Sequence, residues 1–265
     1  AAPDGLSARL ARVLAPLAAE ADITPAVRIE RLDGSVVFER RGAESFVIAS
    51  NMKVFTTAAA LLALGPEFHW STTVLRDAAQ VWIVGDGDPS LRRLGERDVP
   101  AAFLDAVARA LQRASLTQVA ELVLDARAFR GPARHPLWPA DQWQAEYCAP
   151  VSALSLEGGC CEVTEEGGGL RIHPAAGAAL RLERRETVQS KVWTASWNTP
   201  RDAVLVRGSG AGKAPLRLAV DDSLEVFAGW LQEGLAARGI GTGSLRFATD
   251  ADAAPTGVKL AVLRS

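Results

Sequence analysis

The alternation of hydrophobic and polar positions predicts a helix and a hairpin near the start of the chain. Apolar residues recur at helical spacing over residues 6–20, which indicates an amphipathic helix on the surface of the core. Two alternating runs, at 26–32 and 35–40, flank the dipeptide Asp33-Gly34. Such a pair of runs around Asp-Gly is typical of a β-hairpin.

A second helix is predicted over residues 50–64, which are rich in Ala, Leu and Thr and end at Gly65-Pro66. Because this helix is apolar nearly all round, we expect it to be buried. The same reading predicts further elements along the chain: strands at 81–84 and 122–124, helices at 99–114 and 223–237, short strands over 160–220, and a final strand at 257–263.

Composition places the chain among ordinary globular proteins. Of its 265 residues 48% are hydrophobic and 23% are charged, which predicts one large or two small domains. The formal net charge is −2 and no run of like charge stands out, so neither nucleic acid nor an anionic membrane is an expected partner. No apolar stretch reaches the roughly 20 residues that span a bilayer, so no membrane span is expected.

The first residues and the cysteines bear on the compartment. The chain begins Ala1-Ala2-Pro3-Asp4 without Met, as proteins often do after a signal peptide is cleaved. This predicts an exported protein, with an engineered start as the alternative. Cys148, Cys160 and Cys161 do not have the spacing of a zinc site. Three free, buried thiols are favoured over a disulfide from Cys148 to either of the others.

Ser50 and Lys53 form the clearest candidate for chemistry. Residues i and i+3 share one face of a helix, so the hydroxyl and the amine should lie within hydrogen-bond reach. A serine needs a base to become a nucleophile, and a lysine in a buried site can lose its charge and serve as that base. The spacing Ser-x-x-Lys is that of penicillin-recognising serine acyl-transferases.

Several stretches together resemble one family, the class C low-molecular-mass penicillin-binding proteins, which are D-alanyl-D-alanine carboxypeptidase/endopeptidases. The resemblance covers about residues 25–265 and rests on five ordered motifs. These are Ala49-Ser50-Asn51-Met52-Lys53 with the helix that follows, Gly85-Asp86-Gly87-Asp88-Pro89-Ser90-Leu91, Leu124-Asp125-Ala126-Arg127-Ala128-Phe129, Trp138-Pro139, and Tyr147-Cys148-Ala149-Pro150-Val151-Ser152-Ala153-Leu154-Ser155-Leu156.

The resemblance implies an α+β fold in which a transpeptidase domain is interrupted by a large inserted mixed α/β region. Mapped onto this chain, residues 1–70 are the N-terminal piece of the transpeptidase-like domain. Residues 71–252 are the inserted region, and residues 253–265 return to the transpeptidase-like domain with one strand.

The resemblance also implies an extracytoplasmic, periplasmic enzyme that acts on peptidoglycan stem peptides and is inhibited covalently by β-lactams. It makes Ser50 the acylated nucleophile and Lys53 its general base, with no metal or cofactor. Asp125 matches a family aspartate that contacts the free amine of a diamino acid in the stem peptide. The alternative for Asp125 is a turn residue at the end of a strand.

The chain departs from the family pattern because it contains no Lys-Thr-Gly, and Ser196-Trp197-Asn198 matches Ser-x-Asn by letters only. Two hypotheses remain: a carboxypeptidase present as a shortened chain, or a truncated non-catalytic homologue that binds peptidoglycan or a partner protein through the inserted region. A class A β-lactamase is rejected because it needs the same absent motifs. An incomplete sheet also predicts an open edge, covered by another chain or by self-association.

Overall fold

A computed structural model describes residues 5–20, 22–176, 180–185, 192–198 and 201–265. Residues 1–4, whose small side chains predicted a cleaved export signal, lie outside the described residues. The chain forms two compact units, Ala1–Phe68 and His69–Ser265. The division falls next to the boundary that the resemblance placed at residue 70.

The first unit contains the predicted helix, hairpin and helix in that order. They are α1 (Leu6–Ala19), β1 (Val27–Glu30), β2 (Val36–Arg40) and α2 (Met52–Leu64). The strands pair antiparallel, and Gly34 takes a positive φ of 84° in the turn between them. That conformation is open to glycine without a steric penalty, which is why Asp-Gly closes this hairpin.

The helix α2 differs from the expectation of a buried helix. None of its residues is buried, and Val54, Phe55 and Leu62 are exposed. The first unit has Phe38 as its one buried hydrophobic residue in the described part of the chain. Two helices and an isolated hairpin are too small to enclose a core, so an apolar helix stays uncovered within this unit. The helix α1 likewise has no buried residue.

The second unit is built on a five-stranded mixed sheet. Its strands are β3 (Ser71–Asp77), β4 (Gln80–Gly85), β7 (Gln118–Asp125), β14 (Gly241–Phe247) and β15 (Val258–Arg264), and their order in the sheet is β14-β7-β4-β3-β15. The strands β4, β7 and β14 run parallel, and helices α3 (Val99–Arg113) and α4 (Ser223–Ala236) lie in the connections between them. Phe103 from α3 and Phe227 and Trp230 from α4 pack together in the core.

Smaller sheets complete the second unit. One contains β13 (Leu216–Ala219), β8 (Cys160–Glu166) and β9 (Gly169–His173), and another contains β10 (Leu182–Arg184), β12 (Val204–Arg207) and β11 (Thr194–Trp197). The short strands β5 (Arg93–Leu94) and β6 (Arg97–Asp98) pair just before α3. The observed mixture of helices and sheets confirms the predicted α+β class.

The last strand, β15, lies within residues 253–265, where one strand is predicted. It pairs antiparallel with β3, with Val262 opposite Thr73 and Leu263 opposite Thr72. Leu260, Ala261 and Leu263 pack against the core of the second unit. The second unit therefore extends to Ser265, because β3 offers this strand both a hydrogen-bonding edge and an apolar face.

Both units have outer strands with one unpaired edge. Among the described residues, β1 and β2 form a sheet of two strands only, and β15 is an outer strand of the five-stranded sheet. Unpaired backbone groups on such strands can bond another strand.

Candidate active site

Ser50 and Lys53 lie together at the start of α2. Ser50 belongs to a 3₁₀ turn, Ala49–Asn51, that leads directly into the helix, and Ala49 has a positive φ of 44°. The Lys53 Nζ donates a hydrogen bond to the Ser50 Oγ over 3.1 Å. The i, i+3 spacing thus places the two groups within reach of a proton transfer. A helix N-terminus beside the hydroxyl also favours negative charge developing on its oxygen.

Both side chains are exposed within the chain, as is the rest of α2. Removal from water disfavours the charged form of a lysine, and the described residues supply no covering that would remove Lys53 from water. The pair has the required spacing and an open surface around it.

Asp125 lies at the end of β7 in the second unit and is 6% exposed. Its Oδ1 accepts hydrogen bonds from the Nε and the backbone N of Arg127, at 2.9 and 3.0 Å, and its Oδ2 accepts one from the Nη2 at 2.7 Å. The hydrogen bonds from the Arg127 guanidinium hold the pKa of Asp125 below its usual value, although burial opposes this. A substrate ammonium would have to displace Arg127 to reach the carboxylate.

Arg127 is the partner of Asp125, and reasoning from the sequence missed it. Its Nη1 donates to the carbonyl oxygens of Thr249 and Asp252, over 2.9 and 2.6 Å, and so ties the segment after β14 to the end of β7. The signal was present as Asp-x-Arg at a predicted strand end, because a guanidinium two residues beyond a carboxylate can reach back to it across the turn that follows the strand. The strand-end role of Asp125, given above as the alternative, has direct contacts in the structure.

Three of the five family-like motifs meet in the second unit. Gly87, in the loop after β4, donates its N–H to the Ala153 carbonyl over 3.0 Å. Its φ is +105°, and a Cβ at this position would lie 2.3 Å from the Phe129 Cζ. Asp86 accepts hydrogen bonds from the backbone N and the hydroxyl of Ser71. The Gly-Asp-Gly-Asp loop is therefore a tight turn locked by its neighbours, as the sequence indicated.

The remaining candidates have structural partners. Ser196 lies in β11, an outer strand of a small sheet, and Asn198 bonds Asp202, which agrees with a coincidental Ser-x-Asn match. The three cysteines are free and buried, and burial raises the pKa of Cys161 to about 12. Within the described ranges no three His, Cys, Asp or Glu side chains form a metal-binding group, and no helix is long and apolar enough to cross a membrane.

Comparison with known proteins shows which family and which relatives the chain is similar to. Residues 6–265 match the family model described as D-Ala-D-Ala carboxypeptidase 3 (S13). The chain is 31% identical over 157 residues to a D-alanyl-D-alanine carboxypeptidase from Actinomadura sp. (strain R39), covering 56% of this chain and 28% of that protein. It is 31% identical over 189 residues to a carboxypeptidase from Mycobacterium tuberculosis, covering 67% of this chain and 41% of that protein.

The fold is similar to that of penicillin-binding protein 4 from Haemophilus influenzae. One crystal structure of that protein matches with a TM-score of 0.68 at 19% identity, over 91% of this chain and 56% of the other. A second structure of it, in complex with a β-lactam, matches with a TM-score of 0.66 over 97% of this chain and 57% of the other. The chain thus spans less than half of the curated relatives and little more than half of the solved structures. With nearly its whole described length matched by one family model, the chain belongs to the D-Ala-D-Ala carboxypeptidase 3 (S13) family.

Proposed function

We propose that this chain is part of a serine-type D-Ala-D-Ala carboxypeptidase/endopeptidase that acts on peptidoglycan stem peptides outside the cytoplasm. The observation that carries the proposal is the 3.1 Å contact between the Ser50 Oγ and the Lys53 Nζ at the start of α2, in a chain of this family. Ser50 is the proposed nucleophile and Lys53 the proposed general base. The names of the relatives support the reaction class.

The proposed reaction proceeds through an acyl-enzyme. The Ser50 Oγ adds to the carbonyl carbon of the penultimate D-alanine while its proton passes to a neutral Lys53 Nζ. The C–N bond then breaks, and the proton leaves on the amine of the released D-alanine. Water hydrolyses the resulting ester and restores the Ser50 hydroxyl. A β-lactam would acylate the same oxygen by opening its ring.

Exposure of α2 sets a condition on this chemistry. The amine must be neutral to accept a proton, and removal of water is what disfavours the ammonium of a lysine. We therefore propose that the active form covers α2 with further polypeptide that supplies the absent Ser-x-Asn and Lys-Thr-Gly groups. The longer solved relatives are consistent with this requirement.

For Asp125 the proposed role is recognition of an ammonium group on the substrate after Arg127 has moved away. The fully engaged carboxylate argues for a mainly structural role in the form described here. The two roles separate in an activity assay of Asp125→Asn. A binding role changes KM for amine-bearing peptides relative to peptides whose amine is acetylated, whereas a structural role changes both equally.

The test of the catalytic proposal is labelling of the native protein by a fluorescent penicillin. We expect a labelled band that is lost in Ser50→Ala and retained in Ser45→Ala, a matched change at another exposed serine of the first unit. The intact mass of the labelled protein shows whether it extends past Ser265. Labelling that persists in Ser50→Ala would refute the assignment of the nucleophile.

A second candidate function is a truncated non-catalytic homologue that binds peptidoglycan or a partner protein through the second unit. The exposure of Lys53 favours it, because the described residues supply no covering that would neutralise this amine. It predicts a native protein that ends near Ser265, takes no penicillin label and sediments with purified peptidoglycan. Penicillin labelling of the native protein would exclude it.

A further inference from the structure

A cavity of about 320 Å³ lies in the second unit, between α3 and the strands β3 and β15. Its apolar lining comes from α3, β15 and the loop after β4, and includes Val99, Ala102, Phe103, Leu91 and Leu263. Five polar or charged residues line the same space: Thr72, Asp88, Ser90, Arg264 and Ser265. An apolar cavity with a few convergent polar groups is the usual form of a site for a small ligand.

Thr72 is the first group in the cavity that points to a ligand. It is 6% exposed, and its hydroxyl makes no hydrogen bond within the described part of the chain. Its position in β3, two residues before the buried Val74, directs the side chain to the face of the sheet that α3 covers. The hydroxyl oxygen is not among the fully buried side-chain atoms that lack a partner, so it is accessible from the cavity and can bond a ligand there.

Asp88 is the second such group. Its Oδ1 accepts a hydrogen bond from the backbone N of Ser90 over 2.8 Å, and no Lys, Arg or His within the described residues pairs with the carboxylate. Arg264 also lines the cavity, but it stands opposite Ser71 in the ladder and next to Leu263. Strand alternation therefore directs the Arg264 side chain to the other face of the sheet. Asp88 contributes the negative charge among the lining side chains.

We propose that this cavity binds an aliphatic ammonium group. The ammonium bonds Asp88 and the hydroxyl of Thr72, because it carries three donors and both of these groups offer an acceptor. The alkyl chain lies against Phe103, Leu91 and Leu263, where removing it from water stabilises the complex. The ligand is the ammonium of a free amine or of a lysine-type side chain. This site is separate from the chemistry proposed for Ser50.

The test is an NMR titration of the protein with n-hexylammonium chloride. We expect saturable shifts of the amide signals of Thr72, Asp88 and Phe103, with neutral 1-hexanol binding about tenfold more weakly because it cannot form the charged hydrogen bond. Titration with Nα-acetyl-lysinamide distinguishes the two sources. Saturation by hexylammonium alone indicates a free amine, and saturation by both indicates that a side chain also fits.

Matched variants separate this site from surface binding. Asp88→Asn should weaken hexylammonium binding about tenfold, and Thr72→Val should weaken it severalfold. Thr73→Val, on the other face of the same strand, and Asp141→Asn, an exposed aspartate outside the cavity, should leave it unchanged. If Asp88→Asn fails to fold, Ala106→Leu fills the cavity instead and should abolish binding. Equal affinity in the cavity variants and the wild type, or no saturable shift, would overturn the proposal.

Discussion

The pair formed by Asp125 and Arg127 predicts a large loss of stability when the arginine is removed. Arg127→Met keeps an apolar stem of similar length but takes away the guanidinium that bonds both oxygens of a buried carboxylate. Removing one partner of a buried ion pair costs about 3–5 kcal/mol. Because the Arg127 side chain is 22% exposed and water can enter in its place, we expect about 3 kcal/mol.

The pH dependence of this loss has a definite sign. Because the pKa of Asp125 is lowered in the folded protein, its pairing stabilises the fold above the ordinary pKa of an aspartate and stops doing so as the pH falls through the lowered value. In Arg127→Met, burial and the nearby Asp252 charge raise the pKa of Asp125, and the backbone N–H of residue 127 is the contact from that residue that still lowers it. Protonation of Asp125 should therefore favour the folded variant. The difference in the free energy of unfolding between the wild type and Arg127→Met should therefore become smaller as the pH is lowered from 7 to 4.

The measurement is urea unfolding followed by tryptophan fluorescence. All seven tryptophans lie between His69 and Ser265, so this signal reports on the second unit alone. The double variant Asp125→Asn/Arg127→Met should recover at least about 1 kcal/mol, since a neutral amide carries no charge to desolvate. A loss below about 1 kcal/mol at pH 7, or a difference that does not narrow on acidification, would refute the reasoning.

Two further predictions concern packing. Gly87→Ala should destabilise the second unit by about 3 kcal/mol, because the added Cβ meets the Phe129 ring at a position with a positive φ. The control is Gly239→Ala, which has a positive φ but no atom within 4 Å of the added Cβ, and it should cost about 1 kcal/mol in the same fluorescence assay. In the first unit, Leu62 is 88% exposed, so Leu62→Ala should change the free energy of unfolding by less than about 0.5 kcal/mol. Phe38 is buried, so Phe38→Ala should lower it by about 2 kcal/mol. Both changes can be followed by far-UV circular dichroism. A large cost at Leu62 would show that α2 is covered in solution.

Local elements could be predicted from the sequence because their signals are local. The hairpin around Asp33-Gly34 and the helices α3 and α4 lie within one or two residues of their predicted bounds. The strands β3 and β14 went unrecognised. The first mixes polar threonines with its apolar residues, and the second contains two glycines, so neither has the apolar alternation of a typical strand.

Non-local placement could not be predicted in the same way. The final strand was recognised as a strand, yet its partner is set by the edge and the apolar face that β3 presents almost 200 residues earlier. The residues of β15 alone do not predict which strand it pairs with. The candidate site residues show the same contrast. The spacing of Ser50 and Lys53 fixes their contact within one helical turn. The hydrogen bonds to Asp125 depend instead on the rotamer of Arg127, which two carbonyl oxygens beyond residue 248 hold in place.

The exposure of α2 shows that an apolar sequence pattern indicates a helix that needs to be covered, and not that the chain itself covers it. Residues 52–64 have the composition of a core helix, and the first unit leaves them exposed. An exposed apolar helix of this kind carries a free-energy cost of roughly 25 cal/mol for each Å² of apolar surface left in water. The helix α2, which follows Ser50 and contains Lys53, is thus an apolar surface that contact with further polypeptide would stabilise. The same contact would remove water from the Lys53 amine. Stability of the first unit and competence of the proposed base are therefore expected to depend on the same contacts.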